Sequence, residues 1–556
     1  MLSLVFCWHF HQPDYRDADG QQQLPWTYLH ALKDYADIAA HLEAAPGLRC
    51  VVNFVPTLVE QFDDYAAQFA SGRPRDPLLA CLIDPDLAAL DLVARRRLVE
   101  QCFKLNHPTM VDYFPAYRRL YTLWKTVEES GDAGLTYLSG QFLADLVTWY
   151  HLAWTGETVR RARPDLIVLM QQGEGYTLAQ RRALFGLYGE ILASLIPRYR
   201  HLAERGQIEL SSTPHSHPIL PLLLDFKAAR EARPNLPLPA SSAYPGGEAR
   251  AQAHVESAVA SHSAHFGQAP KGFWPAEGGV SEAAVRLFSQ AGVKWTASGE
   301  GVLRHSLARA GRSLAHKPEW ITTPFRLRGS DTVLFFRDDH LSDLIGFEYK
   351  GWNGDDAVRH LLHALDELRR QAPGPNPVVS IILDGENAWE YYPYNGYYFL
   401  SELFAALSEH PAIRTTTFSE YLELHPNAPR ELRHLVAGSW VYGDFTTWMG
   451  DPAKNRGWDW LCAAKDAYDA AVEMLPEDEA ETAEALLKSC ESSDWFWWFG
   501  DYNPADAVES FDRVYRQKLK RLYQTLRIPA PEYLESPLCY GGGHNEAGGV
   551  MRRGGV

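Results

Sequence analysis

Short apolar, β-branched runs alternate with long helical patterns along the first three quarters of the chain, and this alternation is the strongest constraint on its fold. The runs are Leu2 to Trp8, Arg49 to Phe54, Leu166 to Met170, Gln207 to Ser211, Val293 to Ala297, Val333 to Phe336 and Val378 to Leu383. Between them, apolar residues recur at helical spacing over Tyr28 to Glu43, Leu178 to Arg205, Gly247 to Phe266 and Ala357 to Arg370. Strands joined through helices pair in parallel with right-handed crossovers, so the pattern predicts an α/β barrel or a doubly wound sheet. Polar residues fall just after the runs, at His9, Glu209, Glu277, Asp338 and Asp384. Barrels carry their chemistry at the C-terminal ends of strands, which favours the barrel.

After about residue 430 the strand signal fades. Trp458 to Met474, Glu477 to Ser489 and Pro504 to Arg527 read as amphipathic helices, with Asp451-Pro452 and Asn503-Pro504 as starts. The expected organisation is a catalytic α/β region over 1–430 with helical insertions, a helical region over 431–527, and a Gly-rich flexible tail over 528–556.

Composition narrows the partners. Lys and Arg total 53 against 70 Asp and Glu, a net charge of −17 with no dense basic stripe. A nucleic-acid backbone or an anionic membrane face is repelled on average by such a chain. No stretch reaches about 18 consecutive apolar residues, so no membrane span is expected. The run before His9 has no basic start and turns polar too soon for a signal peptide. Seven scattered cysteines without a C-x-x-C pair point to reduced thiols and a cytoplasmic location. The 17 Trp, 27 Tyr and 24 Phe suit either a large core or the flat faces of sugars, and the totals do not choose.

Four segments carry candidate chemistry. In Lys271-Gly272-Phe273-Trp274-Pro275-Ala276-Glu277-Gly278-Gly279, a carboxylate emerges beside an indole and two glycines that let a ligand approach the backbone. The helix expected from Ser281 to Gln290 puts a positive end near Glu277, which suits an ionised nucleophile or, equally, a plain helix-start carboxylate. Val378 to Leu383 delivers Asp384 at a strand tip, with Glu386 and Glu390 close behind; spacing alone does not select among the three. His9-Phe10-His11 and His215-Ser216-His217 each follow a run. Residues i and i+2 of a strand face one side, so each pair can present two imidazoles to a metal or to sugar hydroxyls. Indoles crowd Gly438 to Trp448 and Ser493 to Asp501. No Walker A, Rossmann glycine pattern, G-x-S-x-G or H-E-x-x-H occurs, so nucleotide, serine-hydrolase and zincin chemistries lose their usual signatures.

Taken in order, these segments resemble glycoside hydrolase family 57. His9-Phe10-His11-Gln12-Pro13 is similar to its first motif, and Gly206 to Leu210 running on to His215-Ser216-His217-Pro218 is similar to its second. Phe273 to Glu277 resembles the nucleophile motif and Leu383 to Glu390 the acid/base motif, while Trp440 to Trp448 and the run at Asp494 resemble motifs of the helical region. The resemblance implies a (β/α)7 barrel whose mouth is closed over by a C-terminal α-helical domain. It implies retaining cleavage of α-glucosidic bonds, α-1,4 first and α-1,6 as an option, with no metal or cofactor. Glu277 would be the nucleophile and Asp384 the acid/base. His9, His11, His215 and His217 would hold the sugar, and Trp274, Trp389, Trp440 and Trp448 would stack on it. The partner would be an α-glucan polysaccharide or malto-oligosaccharide. The family includes amylases, amylopullulanases, 4-α-glucanotransferases and branching enzymes, and the second motif with Arg337 to Asp343 looks most like the amylase type, so hydrolysis is expected with transfer or branching as the alternative. A metal-dependent hydrolase built on the two H-x-H pairs is the rival from another class.

Overall fold

A computed structural model of the chain describes residues 1–17 and 19–543. Ten strands form one sheet: β1 (Leu2–Phe10), β2 (Cys50–Phe54), β3 (Ile208–Ser212), β4 (Gly272–Phe273), β5 (Trp295–Ser298), β6 (Phe325–Leu327), β7 (Val333–Phe336), β8 (Val378–Asp384), β9 (Ile413–Thr415) and β10 (Arg430–Leu432). Their order is β10-β6-β7-β5-β4-β3-β2-β1-β8, with β9 beside β1. Every pairing is parallel except β6 with β7. The sheet curls until β7 nears β8. There Arg337 bridges Ser380, and the Asp338 amide donates to the Ser380 carbonyl at 2.9 Å.

Parity along the strands sorts the side chains. In β1, Leu4, Phe6, Trp8 and Phe10 join the large core under the helices, whereas Val5 and Cys7 face the inner core. In β8, Val379, Ile381 and Leu383 face the helices and Val378 and Ile382 face inward. Continuing each inward row by two residues reaches His9 and Asp384 at the C-terminal tips. Both faces of β1 are covered, which is why it reads as a nearly continuous apolar run.

The helices between strands are mostly where the periodicity puts them, as at Leu178–Glu204 and Gly247–Phe266. Thr177 starts the first with a reciprocal capping box to Gln180, which satisfies otherwise orphaned amides. Leu166 to Met170 does not form the expected strand. Pro164 opens and Gly173, in the left-handed region, closes the helix Pro164–Gln172, of which only Leu166 is buried. Five apolar residues fit either element, and here the flanking Pro and Gly decide.

Beyond residue 430 the chain forms helices at Pro452–Ala471, Glu477–Cys490, Ser493–Trp498 and Ala505–Thr525. The expected flexible tail is overturned for residues 528–543. Leu534, Leu538 and Cys539 are buried in the same core as these helices, and the Leu538 amide donates to Asp512 at 2.8 Å. The remainder of that expectation, 544–556, lies outside the described residues.

Candidate active site

The inward rows end together at the C-terminal edge of the sheet. His9 is in register with Asn53 on one side and Asp384 on the other, while Asn53 pairs with Ser211. Above this edge opens a cleft of about 640 Å³ lined by both candidate acids, Glu277 and Asp384, with His9, His11, Arg337 and Trp440.

Glu277 sits just after β4 in a left-handed turn, at φ 56° and ψ 25°. A non-glycine residue held there signals a geometry imposed by its surroundings. Gly278 follows at φ 60°, and a Cβ on it would lie 2.7 Å from the Trp274 ring, so glycine is required. Trp440 holds the carboxylate, its indole Nε1 donating to Glu277 Oε2 at 2.9 Å.

Asp384 is the last residue of β8. Asn387 Nδ2 donates to its Oδ2 at 2.8 Å. Burial pushes the Asp384 pKa up, against the pull of Asn387 and of the nearby Arg337 and His11. Arg337 is fully engaged from the side: it donates to Ile382 O, Asp339 and Asp343, and its guanidinium lies 5.4 Å from the Trp440 ring centre. The two acids therefore sit in different electrostatic settings. One accepts an indole N–H, and the other is buried so that its proton is retained longer.

Three imidazoles form a stack at the base of the cleft, His9 and His11 lining it and the wholly buried His217 behind them. Ring centres lie 5.2 Å apart for His9 and His217 and 3.8 Å apart for His11 and His217, with interplanar angles of 20° and 17°. The hydrogen bonds assign their protons: Ser493 Oγ donates to His217 Nδ1 at 2.8 Å, His217 Nε2 donates to His9 Nε2 at 3.2 Å, and His9 Nδ1 donates to Asn53 Oδ1 at 2.7 Å. Burial, reinforced by His11, pulls His9 down to about 3, and burial pulls His217 well below the usual range, so both are neutral. His11 Nε2 donates to Asp494 Oδ1 at 2.9 Å. His11, His217 and Asp494 have the donor chemistry of a metal site, with atoms within 4.8 Å of one another. Imidazole lone pairs lie in the ring plane, however, and rings stacked this nearly parallel, with centres 3.8 Å apart, keep them in separate planes rather than aimed at one ion.

Five of the ten site residues named from the sequence do not line the cleft: the wholly buried His217 lies behind His9 and His11, and four others lie elsewhere. His215 turns to a separate polar cavity, donating to Glu60 Oε1 at 2.7 Å. Trp274 is buried behind Trp440 in an edge-on contact at 5.1 Å. Trp389 is packed against Trp8 with its Nε1 donating to Gly385 O, and Trp448 is buried against Trp497. None of these three indoles presents a free face, because each ring is consumed by the core. Glu209, also noted after a run, lies within β3 and accepts from Trp295 Nε1 at 2.6 Å and from Ser419. The cleft wall is instead built from Trp26, Trp154, Trp497, Trp498 and Phe511. Trp497 and Trp498 were within reach of the sequence through their indole-rich run; Trp26 and Trp154 carry no local signal.

Residues 5–433 match the family described as Glycosyl hydrolase family 57. Among solved structures the chain is similar to a family 57 branching enzyme from Thermococcus kodakaraensis, with a TM-score of 0.56 at 15% identity, over 94% of this chain and 88% of that one. It is similar to a family 57-type branching enzyme from Pyrococcus horikoshii, at 0.55 and 14% over 100% and 99%. It is also similar to an alpha-amylase from Thermotoga maritima, at 0.54 and 14% over 96% and 98%. At these identities the likeness establishes a shared fold. With the family match spanning most of the chain, the protein is an enzyme of glycosyl hydrolase family 57.

Proposed function

We propose that the enzyme hydrolyses α-glucosidic bonds, α-1,4 foremost, in starch- or glycogen-type glucans with retention of configuration. The observation that carries this reading is the placement of Glu277 and Asp384 on one cleft, the first accepting an indole N–H and the second buried with its pKa raised. Retaining glycosidases use two carboxyl groups roughly 5–5.5 Å apart, one as nucleophile and one as acid/base. Glu277 attacks the anomeric carbon while Asp384 gives its proton to the departing glycosidic oxygen, leaving a glycosyl ester on Glu277. Water then attacks the same carbon, its proton passes to Asp384, and Glu277 leaves as carboxylate. His9, as a neutral imidazole, and His11, paired with Asp494, line the cleft where sugar hydroxyls would bind, and the wholly buried His217 backs them.

The same reading takes β1-β2-β3-β4-β5-β7-β8 as a (β/α)7 barrel, the Arg337–Ser380 bridge supporting closure, with 1–430 as catalytic domain and 431–527 as a helical domain over its mouth. All seven cysteines are free, which fits a reducing, cytoplasmic setting. Among the described residues no helix is long and apolar enough to cross a membrane.

One observation favours transfer or branching as a second reading. Of the aromatic wall, the partly buried Trp26, Trp497 and Trp498 offer surface for an acceptor glucan that would compete with water for the ester. Incubation with maltoheptaose and with amylose, followed by analysis of chain lengths and linkages, separates the two. Shortened chains with α-configured new ends support hydrolysis; lengthened chains or new α-1,6 branches overturn it in favour of transfer.

A further inference from the structure

Glu386 follows Asp384 by two residues, and the Gly385 between them is pinned to β1. The Gly385 amide donates to His9 O at 2.7 Å, and a Cβ there would lie 2.1 Å from the Phe10 ring. Both acids consequently line the cleft. Their surroundings differ. Glu386 is 6% exposed and, among the described residues, has no Lys, Arg or His within ion-pairing distance. Its Oε1 accepts from Gln12 Nε2 at 3.3 Å, and its Oε2 is buried with no hydrogen-bond partner. An ionised carboxylate so poorly solvated is strongly disfavoured, and such a group holds its proton instead.

Among the groups facing Glu386, Asp384 and Asp34 disfavour its charge, while the hydrogen bonds from Tyr35 and Gln12 favour it and are outweighed by burial. Asp384 stands beside it on β8, and Asp34 and Tyr35 face it from the π-helical turn Ala31–Tyr35. Tyr15 and Gln12 face it from the segment after β1. Asp34 is already paired with Lys33 at 2.6 Å, so that cation does not serve Glu386. Burial, with Asp384 adding to it, pushes the Glu386 carboxyl well above the usual range.

We infer that Glu386 is kept as a neutral carboxylic acid and acts as a positioning residue for the acid/base Asp384. Through Oε1 it fixes Gln12, whose Oε1 accepts from Tyr15 OH at 3.0 Å, and so ties the Asp384 turn to the His9–Gln12 strand end. Its neutrality leaves Asp384 without a like charge alongside when it surrenders its proton and must take one back. The positioning role rests on the glycosidase reading of Asp384; the protonation state does not.

Two measurements on the full chain test this. In infrared difference spectra of wild type against Glu386→Gln at neutral pH, the carbonyl stretch of one protonated carboxyl is expected to be lost; absence of that band overturns the proposal whether or not the enzyme turns over. In kinetics, Glu386→Gln, which keeps shape and neutrality, is expected to stay within about threefold of wild-type kcat, while Glu386→Ala, with Gln12 unsupported, falls about tenfold or more with KM little changed. Circular dichroism checks that both variants are folded. A folded Glu386→Gln as damaged as Glu386→Ala means that the charge is required, and a Glu386→Ala matching wild type means that nothing is positioned; either result overturns the role.

Discussion

Trp440 holds Glu277 at both ends: its indole Nε1 donates to Glu277 Oε2 at 2.9 Å and its backbone amide donates to Glu277 O at 3.0 Å. The two residues are 163 apart in sequence, so the candidate nucleophile is oriented by a segment beyond the last strand. Trp440→Phe keeps a ring against Trp274 and Arg337 but deletes the donor. A hydrogen bond to a charged group contributes about 1.5–3 kcal/mol, so kcat/KM should fall roughly ten- to hundredfold in a protein that still folds. Steady-state kinetics on a malto-oligosaccharide decides it, and unchanged kcat/KM would remove the indole from the mechanism.

The roles of the two acids are separable by an added nucleophile. In Asp384→Ala the ester still forms from an activated glucoside but lacks a base to draw in water, so azide should restore turnover and yield the α-glycosyl azide. In Glu277→Ala azide takes the nucleophile's place and should yield the β-anomer. NMR of the products reads the anomeric centre. Exchange of the two outcomes would mean that the roles are reversed.

Parity made part of this site legible in advance. The inward rows of β1 and β8 end in His9 and Asp384, and the glycines around Glu277 mark a backbone that needs open geometry. What parity cannot carry is which face of an indole stays exposed. Trp389 is consumed by Trp8 and Trp448 by Trp497, both pairings made by tertiary packing rather than local pattern. His11 and Asp494 likewise meet across 483 residues, a contact no spacing encodes. His215 misled for a local reason: Ser216 and His217 both have positive φ, so the strand alternation assumed for the pair ends before it.

The imidazole stack sets an expectation for metal removal. Stacked rings at 17° do not converge their lone pairs, so exhaustive chelation should leave kcat and KM unchanged. Activity lost to a chelator and regained with one divalent ion would overturn the metal-independent reading.

The alkaline limb of kcat/KM should respond to Asn387. Asp384 must be protonated to act as acid, so activity falls as pH rises through its pKa. The Asn387 amide favours the carboxylate form. Asn387→Ala removes that stabilisation, raises the pKa and should carry the alkaline limb up by about one pH unit, the equivalent of a bond near 1.4 kcal/mol. A limb that moves down, or not at all, assigns the alkaline ionisation to another group.

Glu491 anchors the loop behind the imidazole stack, and its energetics are open to a pH test. It is wholly buried, accepting from Arg250 Nε at 2.7 Å, Arg250 Nη2 at 2.8 Å, His254 Nε2 at 2.7 Å and Tyr244 OH at 2.6 Å. His254 in turn clamps the His215 backbone, accepting the His215 amide on its own carbonyl at 3.0 Å. Burial acts to raise the Glu491 pKa, but His254 and Arg250 outweigh it and hold the carboxyl down to about 2, from an ordinary value of 4.5. Because the folded pKa is the lower one, this contribution, roughly 3 kcal/mol, is complete above the ordinary value and is lost as pH falls toward the folded one. Glu491→Gln leaves Arg250 with Glu484 alone and should cost about 3–5 kcal/mol at pH 7. Urea denaturation followed by circular dichroism should show the gap between wild type and variant narrowing as the pH is lowered from 4.5 toward 2. A gap that is constant with pH would mean that Glu491 stabilises the loop by packing and not by charge.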